Sequence, residues 1–180
     1  YYRTKTLYAV CVVEWEGQIL VSLAGPHNEV RTIDFRTFRE FDRWENCKSS
    51  SYVRSLVAGI DNEIPLVFSG DESGRLFCRD VSKHRDHSPL ADNAHKGSIN
   101  SMLLPETPVG RILITGGDDG AICFWTTKLR QLAKIETDRP VRGLALCTNE
   151  RLVVANDRGV TMVSLDWQRL TFVDGRNIRQ

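Results

Sequence analysis

The sequence predicts an all-β chain made of small four-stranded antiparallel sheets, and three observations carry that prediction. Val53-Arg54-Ser55-Leu56 returns as Ile99-Asn100-Ser101-Met102 after 46 residues, and as Val141-Arg142-Gly143-Leu144 after a further 42. A second stretch keeps the same register: Leu66-Val67-Phe68-Ser69-Gly70-Asp71-Glu72-Ser73-Gly74 matches Ile112-Leu113-Ile114-Thr115-Gly116-Gly117-Asp118-Asp119-Gly120. Between these marks the chain runs in β-rich segments of roughly five to seven residues bounded by turn residues, without the 3.6-residue period of a helix.

The units follow in order. Residues 1–50 form a degenerate first unit, in which Leu20-Val21-Ser22 and Val30-Arg31-Thr32-Ile33-Asp34 occupy the repeat positions. Residues 51–94 form the second unit, with a turn at Gly74. Residues 95–137 form the third, whose Asp119-Gly120 turn is the clearest: glycine supplies the positive φ that a tight hairpin needs, between the apolar Leu113-Ile114 and Ile122-Phe124 positions. Residues 138–173 form a degenerate fourth unit around Leu152-Val153-Val154-Ala155 and Gly159, and 174–180 read as a polar tail. No such sheet covers both its faces alone, so the units must stack on one another.

The third unit resembles the WD-repeat β-propeller family, through Ala94-His95, Ile99, the run from Ile112 to Gly120, and Ile122-Cys123-Phe124-Trp125. It departs from the pattern after Trp125, where Thr126 replaces the family's Asp, and the second unit has Arg79 where the third has Trp125. The resemblance implies a buried hydrogen-bond chain of His95, Thr115, Asp119 and Trp125. An imidazole can bridge a carboxylate and a hydroxyl, and a buried indole N–H needs an acceptor, so the chemistry is sound. The matching positions are Ser49, Ser69, Ser73 and Arg79 in the second unit, and Val154, Arg158 and Ser164 occupy the last three in the fourth, so these units are expected to rest on packing alone.

The resemblance further implies that one rim around a central channel is the docking face. By repeat position that rim holds Tyr52 and Arg54, Ser98 and Asn100, and Arg139 and Arg142, with Glu72, Asp118 and Asp157 from the turns. Arginine and tyrosine are the types that dominate interface energetics. The plainer reading of Arg54 and Arg142 is that they neutralise neighbouring turn carboxylates. Four units form an arc, whereas WD-type wedges close at around seven, so an apolar face is expected bare at each end. The remaining blades would come from the same protein or from another subunit, and a start at Tyr1 instead of Met fits a piece of a longer protein.

Composition supports a folded, non-catalytic binding module. A hydrophobic fraction of 41% suffices for a core, and 24 basic against 23 acidic residues give no global field toward nucleic acid or an anionic membrane. No apolar run approaches the roughly 20 residues that span a bilayer. The five cysteines have no Cys-x-x-Cys spacing, and with no Asn-x-Ser/Thr sequon they indicate reduced thiols in an intracellular compartment. Phosphate-loop, nucleophile-turn and His-Glu-x-x-His signatures are missing, so neither a cofactor nor a catalytic group is expected. His84, Asp86, His87 and Asp92 are the nearest approach to a metal cluster; a propeller enzyme or metal site built there is the alternative reading, and a solvated loop the plainer one. Asp71-Glu72 and Asp118-Asp119 read as turn carboxylates. The expected function is a protein or peptide-binding scaffold or sensor within a larger multidomain protein or complex, with a purely structural role behind it.

Overall fold

The computed structural model describes residues 6–25, 28–45, 51–87, 90–148 and 150–171. They form four antiparallel sheets in chain order. The first contains β1 (Ala9–Trp15), β2 (Gln18–Ala24), β3 (Glu29–Asp34) and β4 (Glu40–Glu45), and the second β5 (Val53–Asp61), β6 (Ile64–Asp71), β7 (Leu76–Asp80) and the short β8 (Arg85–Asp86). The third has β11 (Gly110–Gly117), β12 (Ala121–Thr126) and β13 (Gln131–Glu136), with its first row split into β9 (Ile99–Leu103) and β10 (Glu106–Thr107). Both pieces pair with β11, and Pro105, which lacks an N–H for the ladder, lies between them.

The fourth sheet departs from the four-stranded expectation. Among the described residues it has three strands, β14 (Gly143–Thr148), β15 (Arg151–Asn156) and β16 (Gly159–Ser164). A short helix, α1 (Trp167–Thr171), then follows, and Leu165, Trp167 and Leu170 are buried. Ser49 and the tail 174–180 lie outside the described residues.

Strand alternation gives each sheet two apolar faces, and the core consists of three layers between successive sheets. Val13, Leu20, Val30 and Trp44 of the first sheet meet Val53, Val67 and Val81. Leu66, Phe68, Leu76 and Cys78 meet Leu113, Cys123 and Trp125. Ile112, Ile114, Ile122 and Phe124 meet Leu144, Leu152 and Val154. Phe68 and Phe124 are wholly buried, each contributing on the order of 2–3 kcal/mol relative to exposure. First strands pack side by side, β1 on β5, β5 on β9 and β9 on β14. This serial arrangement of antiparallel sheets is consistent with a propeller-like fold. The ends stay open: Val10 and Val12 of the first sheet, and Val160 and Met162 of the last, are each more than half exposed.

Candidate partner-binding rim

The rim is set by where each first strand begins. Tyr8, Arg54, Asn100 and Arg142 precede or open β1, β5, β9 and β14 at one repeat position, the first three spaced by 46 residues. The ladder shifts register beside Arg54 and again opposite Asn100, so both positions bulge out of the pairing. The turn residues Glu72 and Asp118 lie beside them: the Glu72 N–H donates to Tyr52 O at 3.0 Å, and the Asp118 N–H donates to Ser98 O at 2.9 Å.

The row divides into two chemically different halves. In one half Arg142 bridges two turns, with Nη1 2.5 Å from Asp118 Oδ1 and Nε 2.9 Å from Asp157 Oδ1. The Asn100 side-chain amide donates to Asp118 Oδ1 at 2.8 Å and to Val141 O at 2.9 Å. Hydrogen bonding and the charge of Asp157 raise the Arg142 pKa above its ordinary value. In the other half Arg54 lies over the Tyr8 ring, 5.4 Å from its centroid, and Tyr8 packs tilted against Tyr52 at 5.9 Å. Tyr8, Tyr52 and Arg54 are all exposed, and among the described residues Arg54 forms no ion pair with a carboxylate. Neutralisation of turn carboxylates therefore describes Arg142 and not Arg54.

Two of the sequence-derived rim residues differ from the others in the row. Ser98 is buried, its carbonyl spent on the Asp118 N–H. Arg139 is one residue out of register, since Pro140 stands two before Arg142 as Tyr52 stands two before Arg54; its carbonyl accepts from the Thr137 hydroxyl at 2.7 Å. Sequence reasoning missed Tyr8, although stepping back 46 from Arg54 lands on it.

Beneath the rim His95, Thr115, Asp119 and Trp125 form one continuous chain. Trp125 Nε1 donates to Thr115 Oγ1 at 3.0 Å, Thr115 Oγ1 lies 2.7 Å from His95 Nε2, and His95 Nδ1 lies 2.9 Å from Asp119 Oδ1. A neutral imidazole with its proton on Nδ1 satisfies every member: it donates to the carboxylate and accepts from the threonine hydroxyl. Burial keeps the His95 pKa below its ordinary value despite the neighbouring carboxylate. For Asp119 burial works upward, but hydrogen bonds from His95 and from the Lys96 and Ala121 N–H groups outweigh it and leave its pKa lowered. The Thr115 hydroxyl is inside the sheet, wholly buried.

The second sheet does not rest on packing alone, which corrects the expectation for it. Ser51 bonds to Ser73 through their hydroxyls, Arg75 Nη2 donates to Ser51 Oγ at 2.8 Å, and Arg75 Nε donates to the buried Asp71 at 3.0 Å. Ser51 thus partners Ser73 as His95 partners Asp119. Arg79, at the Trp125 position, reaches back to the first sheet: Nε and Nη2 donate to Asp42 at 2.9 and 3.1 Å, and its guanidinium lies 5.5 Å from the Trp44 ring centroid. In the fourth sheet Val154 is core.

His84 belongs to that junction, its Nδ1 3.2 Å from Asp42 Oδ1 and its ring 5.5 Å from Phe41. Asp86 takes a longer contact from Arg79 at 3.4 Å. Among the described residues no three of His, Cys, Asp and Glu converge as metal ligands. Burial pushes the Cys11 and Cys123 thiols up to about 12, whereas Cys147 is exposed. Cys47 lies outside the described residues. No helix among the described residues is long and apolar enough to cross a membrane.

No protein-family model matches the chain. It is 27% identical over 171 residues to the cilia- and flagella-associated protein 44 of Trypanosoma brucei brucei (strain 927/4 GUTat10.1), a match covering 83% of this chain. The chain spans 10% of that protein's length. Among solved structures, the crystal structure of the computationally designed Ika4 protein superposes with a TM-score of 0.64 at 15% identity. That match covers 89% of this chain and 92% of the designed one, and it is a likeness of fold alone.

Proposed function

We propose that the chain is four blades of a WD-repeat-type propeller, an arc of a larger ring, that binds a protein or peptide on its rim as a non-catalytic scaffold or sensor in a larger intracellular assembly. The observation that carries this reading is the exposed Tyr8, Tyr52 and Arg54 cluster beside the self-satisfied Arg142 half of the row. Amphipathic aromatic rings and an arginine with no carboxylate partner among the described residues are groups whose desolvation a partner can compensate. The similarity to a cilia- and flagella-associated protein supports membership of a large protein complex. The His95 chain serves this function by holding the Asp118-Asp119-Gly120 turn, and so Asp118, at the rim.

Capture experiments test the reading. Immobilised wild-type chain should retain a partner that Arg54→Glu, alone or with Arg142→Glu, releases. Because these side chains are exposed, the thermal midpoint should move little. Equal capture by wild type and both variants removes the rim from consideration.

A further inference from the structure

Arg54 and Arg142 hold one repeat position, but among the described residues only Arg142 meets a carboxylate from the sheet before its own. Its Nη1 lies 2.5 Å from Asp118 Oδ1 of the third sheet, and its Nε lies 2.9 Å from Asp157 Oδ1 of the fourth. Glu72 stands 46 residues before Asp118, and 46 before Glu72 the sequence has Pro26, which carries no charge. Glu72, the turn carboxylate of Arg54's own sheet, forms no ion pair with it among the described residues. The Arg54 guanidinium lies instead over the Tyr8 ring, 5.4 Å from its centroid.

That contact uses the face of the guanidinium and leaves its N–H edges to solvent. The backbone fixes all three residues. The Tyr8 N–H donates to Ala24 O at 2.9 Å, Tyr52 O accepts the Glu72 N–H at 3.0 Å, and Arg54 stands where the ladder shifts between Val53 and Ser55. They lie where the first sheet meets the second, above a joint that Val13, Leu20, Val53 and Val67 close within the chain. Tyr8 and Tyr52 are each 40% exposed, their ring centroids 5.9 Å apart and their planes tilted by 46°. A flat apolar side chain laid on them would bury ring surface beside the cation.

The geometry points to a carboxylate as the missing partner of Arg54, brought by a protein: an extended peptide whose Asp or Glu takes, on Arg54, the seat that Asp118 takes on Arg142. A neighbouring proline or aromatic residue of that peptide covers Tyr8 and Tyr52. Guanidinium edge and carboxylate match as planar groups. The precedent at Arg142 favours a carboxylate over a phosphate, and so does Glu72, which repels a dianion about twice as strongly as a single charge. The inference rests on the rim reading and adds to it the chemistry of the ligand.

The probe is an array of blocked synthetic hexapeptides in which Asp, Glu, Gln, Lys or phosphoserine stands beside Ala, Pro or Trp, read with the labelled chain. Binding should concentrate on Asp and Glu beside Pro or Trp. In anisotropy titrations of the strongest of these peptides, exchanging its acid for the amide should weaken binding to wild type at least tenfold. Arg54→Gln should bind acid and amide alike. Tyr8→Phe should keep the wild-type affinity, whereas Tyr8→Ala should lose at least threefold. An array without binding, one without acid preference, stronger binding of phosphoserine, or a preference that survives Arg54→Gln would each overturn the proposal. Lack of acid preference beside a captured partner that Arg54→Glu still releases sinks the ligand assignment alone; capture indifferent to Arg54→Glu sinks the rim reading with it.

Discussion

Arg79 and Asp42 join two sheets through a paired contact, Nε to Oδ2 at 2.9 Å and Nη2 to Oδ1 at 3.1 Å, with both side chains largely withdrawn from water. Burial works to lower the Arg79 pKa, but the hydrogen bonds and charges of Asp42 and, to a lesser degree, Asp86 together outweigh it and leave the pKa raised. Removing one partner leaves the other charge buried. Arg79→Met should therefore cost about 3 kcal/mol in urea unfolding, and Asp42→Ala a similar amount. The double variant should cost clearly less than the sum. Additive losses would show that the pair carries no coupling.

The Thr115 hydroxyl serves two partners, so its loss should exceed the loss of either one. Thr115→Val keeps the shape and leaves both the Trp125 N–H and His95 Nε2 without a partner in a buried place, costing about 2–3 kcal/mol. Trp125→Phe removes the hydrogen bond along with its donor, so its polar cost should be about 1 kcal/mol, plus a packing loss visible as a changed Cys123 environment. Chemical denaturation of both variants checks the order. A Thr115→Val change as mild as that expected of a surface residue would mean the chain of bonds is not formed.

The His95 chain makes stability acid-sensitive in a defined sense. His95 has a lowered pKa in the fold, so below its unfolded value of about 6.5 the unfolded chain binds a proton that the folded chain refuses, and stability falls. Asp119, also lowered, contributes stability above its unfolded value of about 3.9 and loses it on further acidification. The thermal midpoint should hold above neutrality, begin to drop as the pH falls below about 6.5, and drop further below about pH 4. His95→Phe should lower the whole curve and remove the first decline relative to wild type. An unaltered first decline in that variant would assign it to other groups.

What the sequence made legible follows the 46-residue register, and what it hid lies off that register. Tyr8, Arg54 and Asn100 are readable because the shift is constant through the first strands. Ser51 is not: one residue separates it from Val53, where three separate His95 from Ile99, so a fixed shift from His95 lands on Ser49 instead. The burial of Ser98 beside the rim residue Asn100 depends on a bulge, where strict alternation ceases to tell inside from outside. Arg79 reads in sequence as a lost tryptophan. Its partner Asp42 comes from the preceding sheet, a pairing that depends on how two sheets are set against each other and not on any spacing within one.

Two left-handed glycines separate conformational strain from steric exclusion. Gly17 and Gly74 share nearly the same backbone, with φ of +74° and +80°. A Cβ on Gly17 would meet nothing within 4 Å, so Gly17→Ala should cost only the left-handed penalty of roughly 1–2 kcal/mol. On Gly74 it would lie 2.0 Å from His95 O and 2.7 Å from Gly97 O. These are backbone atoms of the segment that carries the histidine, and Gly74 O also accepts the His95 N–H at 3.0 Å. Gly74→Ala should therefore displace His95, costing well beyond the Gly17 change and shifting the Trp125 indole N–H resonance. Gly17→Ala should leave that resonance in place. Equal destabilisation by the two alanines would mean that the turn of the second sheet does not abut the histidine segment of the third.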